Sequence, residues 1–232
     1  MSYKKIISEI KRKSDKKRAV ISQSFFKTKE GEYGEGDIFL GLTVPVQRSI
    51  ALKFVDLSFI EIEKLLKSTF HEYRFIGLII LIERFRNTDN KGRDKIYTFY
   101  LRNIRFVNSW DLVDLSAPQI VGRYLQNSGR EQLYIFCRSE SLWERRISVV
   151  STIVFIKNND FKDALKISAI LLADNHYLIN KAVGWMLREI GKKDMQILEN
   201  FLKMNSKKIP RTTLRYAIEK FPEKKRKKYL KK

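Results

Sequence analysis

Residues 108 to 117 read Asn108-Ser109-Trp110-Asp111-Leu112-Val113-Asp114-Leu115-Ser116-Ala117. The stretch predicts a helix start. Ser109 is of the type that caps the unpaired N–H groups of a first turn, and Asp111 suits the positive end of the helix dipole. Trp110 and Asp114 are spaced i, i+4, so one helix face carries an indole beside a carboxylate. Two readings stand at this point. Trp110 is a core residue and Asp114 a solvated or capping acid, or the face lines a groove and the pair does chemistry.

Outward from this stretch the chain reads as helix after helix. Apolar residues recur at helical spacing, only 4 Pro and 10 Gly interrupt them, and strand-like alternation is scarce. The pattern places helices at about 45–55, 59–68, 71–86, 92–105, 109–126, 129–138, 141–157, 160–173, 177–191, 194–204 and 211–220. Trp110, Arg146 and Trp185 mark longer members and stand 36 and 39 residues apart. A two-helix repeat near 40 residues is the signature of HEAT-like solenoids. The expectation is therefore an all-α protein, a right-handed α-solenoid forming a single domain over 1–232. Its inner helices would line one concave surface, where Trp110, Asp114, Arg146 and Trp185 converge. The alternative is an irregular bundle without a shared groove.

Upstream, Ile6, Ile7 and Ile10 repeat at helical spacing within 3–13, and Asp15 can cap a second helix from Lys16 to Phe26. The segment 27–37, Lys-Thr-Lys-Glu-Gly-Glu-Tyr-Gly-Glu-Gly-Asp, is then a loop with three glycines and four acids in a basic chain. Such a loop is expected to stay off phosphate. Phe39-Leu40-Gly41 ends it, and Thr43 with Pro45 opens the next helix. The basic tail 224–232 reads as a solvated, partly frayed end that adds non-specific attraction.

Lys and Arg number 47 against 26 Asp and Glu, a net charge of +21. That points to a polyanionic partner, most simply a phosphate backbone. Cys137 is the only cysteine, so neither a disulfide framework nor a thiolate cluster is available. His71 and His176 have no ligand-like spacing, and each reads as a cap or surface residue; no metal and no cofactor is expected. No glycine motif follows a predicted strand, and no Gly-x-Ser-x-Gly elbow occurs, which removes nucleotide-cradle and serine-hydrolase readings. The N-terminus lacks an apolar targeting segment, and the longest apolar runs, 75–82 and 147–156, are too short for a bilayer. The reading is a soluble cytoplasmic, nucleoid-associated monomer.

Further on, Leu142-Trp143-Glu144-Arg145-Arg146 puts two guanidinium groups in a first turn, against the helix dipole. Such a breach of local preference often marks function, for example a phosphate clamp. Lys181-Ala182-Val183-Gly184-Trp185-Met186-Leu187-Arg188-Glu189 carries small residues that permit close helix approach.

At these residues the chain resembles the DNA alkylation repair family, the AlkD-type HEAT-like-repeat DNA glycosylases. The resemblance is carried by Phe25-Phe26-Lys27-Thr28, the run from Gly31 to Asp37, Phe39-Leu40-Gly41, Trp110-Asp111-Leu112-Val113-Asp114, Trp143-Glu144-Arg145-Arg146, 181–189, and Pro210-Arg211-Thr212-Thr213-Leu214-Arg215. It implies a solenoid with a basic concave groove for double-stranded DNA. It also implies excision of cationic alkylpurines such as 3-methyladenine and 7-methylguanine. Carried over residue by residue, it implies Asp114 as the catalytic carboxylate, Trp110 and Trp185 as groove indoles, and Arg146 as a phosphate contact. Arg145, Lys181 and Arg215 are further candidates for binding DNA. The segment 27–37 departs from the compact N-terminus of the excising members, so no N-terminal residue is carried over. A non-catalytic binder of damaged or branched DNA, and a protein–protein scaffold, are the competing readings.

Overall fold

The structure is a computed structural model and describes residues 2–231. It is all-α; the extended chain contributes one isolated parallel bridge, Ile38 to Phe70. The contacts divide the chain into two compact units, one running to Ile120 and one beginning at Val121.

The first unit holds α1 (Tyr3–Arg12), α2 (Lys16–Phe25), α3 (Val44–Lys53), α4 (Phe59–Leu66), α5 (His71–Arg86), α6 (Asn90–Arg102) and α7 (Trp110–Ser116). Its hub is α5, whose run from Phe75 to Ile82 is buried and packs on α3, α4, α6 and α7. Apolar residues all round a helix leave it no solvent face, so it takes the centre. Ile6 and Ile10 bury the inner face of α1 near α3. Each fully buried Ile contributes about 1.5–3 kcal/mol. Ser58 and Glu61 form a capping box at α4, and Glu61 Oε1 also accepts the Tyr3 N–H at 2.8 Å.

Helix α2 is held differently, because it buries no residue of its own. Asp15 caps it through the Lys17 and Arg18 amides, as the sequence suggests. The Asp15 N–H donates to Leu40 O at 2.8 Å. There Gly41 sits at φ +81°, and a Cβ on it would stand 2.1 Å from Asp15 O and 2.7 Å from Ala19 N. Only glycine fits that crossing. The buried Glu72 carboxylate fixes the same loop to α5 by accepting the Leu40, Gly41 and Leu42 amides.

The second unit holds α8 (Arg123–Leu125), α9 (Glu131–Phe136), α10 (Leu142–Ser151), α11 (Ile153–Lys157), α12 (Lys162–Leu171), α13 (Tyr177–Lys193), α14 (Met195–Met204), α15 (Arg211–Ala217) and α16 (Glu223–Leu230). Helix α13 is its hub, packed by α10, α11, α12, α14 and α15. The close approach expected at Gly184 is present. A Cβ there would meet Tyr216 Cβ at 2.5 Å and Thr213 O at 2.7 Å. Arg130 joins α9 to α12 by binding Asp160 and Asp163, each at 2.6 Å, while its guanidinium lies over the Phe155 ring at 3.9 Å.

Four local expectations are corrected. Ser109 occupies the N-cap of α7, but its hydroxyl makes no capping bond. The helix expected over 109–126 is interrupted by a π turn, Pro118–Gly122, where proline removes a backbone donor. The helix expected over 141–157 breaks at Thr152, whose hydroxyl donates back to Val149 O at 2.6 Å. The tail expected to fray over 224–232 is helical through Leu230: α16 is tied by a Lys225–Glu199 ion pair and by Arg211 donating to Leu230 O at 2.6 Å, while Lys232 lies outside the described residues.

Candidate functional site

Trp110 opens α7 and Asp114 follows one turn on; both are half-buried, while Leu112, Val113 and Ser116 fill the inner face. The pair therefore shares the partly open side of the helix. Trp110 is not bare. Phe26 stacks on it, with ring centroids 5.4 Å apart and planes 12° apart, and Phe25 meets its edge at 6.0 Å. Phe25 is itself 63% exposed.

Behind Trp110 lies a cluster that sequence reasoning missed. His71 is 2% exposed, so its reading as a cap or surface residue is overturned. Its Nδ1 is 3.0 Å from Asp37 Oδ2 and its Nε2 is 2.8 Å from Asp111 Oδ2. Arg74 Nη2 donates to the same Asp37 oxygen at 2.5 Å, and Arg74 Nη1 to Ser68 O at 2.8 Å. The imidazole faces Phe39 at 4.6 Å and Phe26 at 4.9 Å. Burial opposes its charged form. The Asp111 charge and hydrogen bond, with the Asp37 hydrogen bond, outweigh burial and raise the His71 pKa to about 9. The acidic segment 27–37 thus ends with Asp37 buried against α5. Gln23 holds that end as well, through the Thr28 hydroxyl and Asp37 O. Spacing gives no hint of this cluster, because its members come from a loop and two helices.

The other sequence candidates lie in the second unit. Arg146 is buried, and its Nη1 donates to Leu178 O at 2.6 Å, in the first turn of α13. Arg145 Nε donates to Asp174 Oδ2 at 2.6 Å, and its Nη1 to Ser139 O and Glu140 O. That pairing explains how a cation is tolerated in the first turn of α10. On α13, Lys181 and Trp185 are both half-buried at i, i+4, and Tyr177 precedes them by one turn. Lys181 Nζ lies 5.2 Å from the Tyr177 ring centroid, and Arg188 extends the row in an ion pair with Glu219. One side of α13 therefore alternates aromatic and cationic groups, the chemistry that grips bases and phosphates. Tyr177 and Arg188 were the unrecognised members of this row. Arg215 is exposed on α15. His176 is a cap, as expected; its Nδ1 accepts the Leu178 N–H at 3.2 Å.

Among the described residues no helix is long and apolar enough to cross a membrane, and no group of three or more His, Cys, Asp or Glu is arranged to hold a metal ion.

The chain is all-α, with a carboxylate beside an indole on α7 and an aromatic–cationic row on α13. Residues 6–221 match the family described as DNA alkylation repair enzyme, and the chain belongs to that family. A solved structure, a predicted DNA alkylation repair enzyme from Enterococcus faecalis, has the same fold. Its TM-score is 0.72 at 16% sequence identity, over 91% of this chain and 98% of that one. No curated protein matches the chain.

Proposed function

We propose that the protein is a DNA glycosylase that hydrolyses the N-glycosidic bond of cationic alkylated purines, such as 3-methyladenine and 7-methylguanine, in duplex DNA. The observation that carries this reading is the Trp110–Asp114 pair on the partly open side of α7. Family membership and the +21 charge supply its context.

The chemistry needs little from the protein. N3- or N7-alkylation leaves the purine positively charged, so it departs as a neutral base when the bond to C1′ breaks. The electron pair goes with the base, and the sugar acquires oxocarbenium character. A carboxylate at Asp114 stabilises that charge, orients a water for attack at C1′ and accepts its proton. The Trp110 indole offers a π face to the cationic sugar. In this reading Trp185 is a further DNA-facing indole, Arg146, Lys181 and Arg215 serve the DNA backbone, and Arg145 acts only as the partner of Asp174. No cofactor or metal takes part, and a monomer suffices.

Base release from alkylated duplex, read by chromatography of the freed purine, tests the proposal. Purified protein should release methylated base in proportion to the duplex it binds. Binding without release would remove the enzyme reading.

One observation favours a second reading, that of a non-catalytic binder of damaged or branched DNA. Phe26 occupies one face of the Trp110 indole, which leaves less of it for a sugar. The same assay separates the two.

A further inference from the structure

We propose that His71 is a positioning residue for this site: as an imidazolium it locks the end of segment 27–37 to the first turn of α7 and so sets how Trp110 and Asp114 are presented to DNA. The catalytic arm of this inference rests on the glycosylase reading; the geometric arm does not.

Both ring nitrogens of His71 meet carboxylate oxygens, at 3.0 Å for Asp37 and 2.8 Å for Asp111. A neutral imidazole has one N–H, so its other nitrogen would set a lone pair against a carboxylate at contact distance. Both bonds form only when both nitrogens carry protons. The two carboxylates around the ring favour that state. Asp37 faces it from the loop and Asp111 from α7. Arg74, on α5 with His71, donates to the same Asp37 oxygen, and its Nη2 lies 3.4 Å from His71 Nδ1, where its charge opposes the imidazolium but is outweighed by the two carboxylates. Glu72, its α5 neighbour, is occupied by three loop amides.

Two routes run from the ring to the site. Its Nε2 edge holds Asp111, the covalent neighbour of Trp110. Its face holds Phe26, which stacks on the Trp110 indole. Removing the imidazolium therefore frees the backbone at the start of α7 and the ring that covers Trp110. Buried charges contribute little net stability, because desolvation offsets most of their attraction. What this cluster fixes is orientation: Asp37, His71 and Arg74 are all buried, and Asp111 is nearly so.

The chain has two histidines, so nitrogen-15 NMR of the imidazole rings is decisive on the full protein. His71 should show both N–H groups at pH 7 and lose one only near pH 9. A singly protonated His71 at pH 7 would overturn the inference. In a Trp143→Phe/Trp185→Phe background, His71→Gln should shift the emission of Trp110 to longer wavelength, and an unchanged spectrum would overturn it too. In single-turnover base release, His71→Gln and Asp111→Asn should each lower the rate about 10- to 100-fold, leave the DNA Kd within about twofold, and not compound when combined. Full activity in either variant, at matched folded fraction, counts against positioning. If His71→Gln does not fold, the wild-type NMR titration and the fall of its release rate above about pH 9 decide. If the wild type releases no base, the glycosylase reading fails, while the NMR and emission results still judge the role of His71.

Discussion

Phe26 lies flat on Trp110, with ring planes 12° apart and centroids 5.4 Å apart. A ring from the end of α2 thus forms part of the surroundings of the candidate catalytic face. The acidic segment 27–37 follows Phe26 directly and is tied to the same cluster through Asp37.

Phe26→Ala should expose that face of the indole. The expected result is a red shift of Trp110 emission in the single-tryptophan background, with a stability loss of about 1–2 kcal/mol, below the cost for a fully buried Phe because Phe26 is half-buried. No spectral change would mean that the stack does not persist in solution.

Two glycines make a matched comparison for backbone strain. Gly41 and Gly31 both have positive φ, +81° and +75°, but only Gly41 faces backbone atoms at contact distance. Gly31→Ala should cost about 1–2 kcal/mol, the ordinary penalty of left-handed backbone. Gly41→Ala should cost clearly more, because Asp15 O or α2 must move. Urea midpoints measure the difference, and equal losses would show that the crossing at Asp15 is slack.

The His71 cluster makes stability depend on pH in a defined direction. Its folded-state pKa, about 9, lies above the ordinary histidine value of 6.5. The stabilisation is therefore fully present below about pH 6.5 and is lost as pH rises through about 9. Urea unfolding of wild type against His71→Gln at pH 6, 8 and 9.5 should show the gap closing as pH rises. A gap constant across that range would contradict the assigned charge state.

Much of the fold was legible in the sequence because helices announce themselves locally. Buried runs such as Phe75–Ile82 and a cap such as Asp15 are short-range signals. The π turn at Pro118 and the break at Thr152 were harder, since each depends on how one turn resolves a missing donor or an extra hydroxyl. The pair Trp110 and Asp114 could be read from i, i+4 spacing. The cluster of Asp37, His71, Arg74 and Asp111 could not, because buried charges declare their partners only once the chain has folded. Arg145 shows the same limit: its place in a first turn looked like a phosphate clamp, yet its guanidinium holds Asp174 and two carbonyls.

Binding to DNA should be strongly electrostatic, given the +21 charge. If about 6–10 phosphates are contacted, affinity for duplex should fall by about three or more powers of ten between 50 and 200 mM salt. Fluorescence anisotropy on a labelled duplex measures this, and a flat response would favour a protein–protein scaffold.

The central claim is that Asp114 performs the chemistry, and single-turnover base release by Asp114→Asn beside wild type tests it most directly. Release from methylated duplex should fall by about two or more powers of ten, in the range seen when one electrostatic stabiliser of a transition state is removed. The DNA Kd should stay unchanged or tighten slightly, since the substitution removes a negative charge facing a polyanion. Release at the wild-type rate, or loss of DNA binding together with folding, would contradict a catalytic role for Asp114.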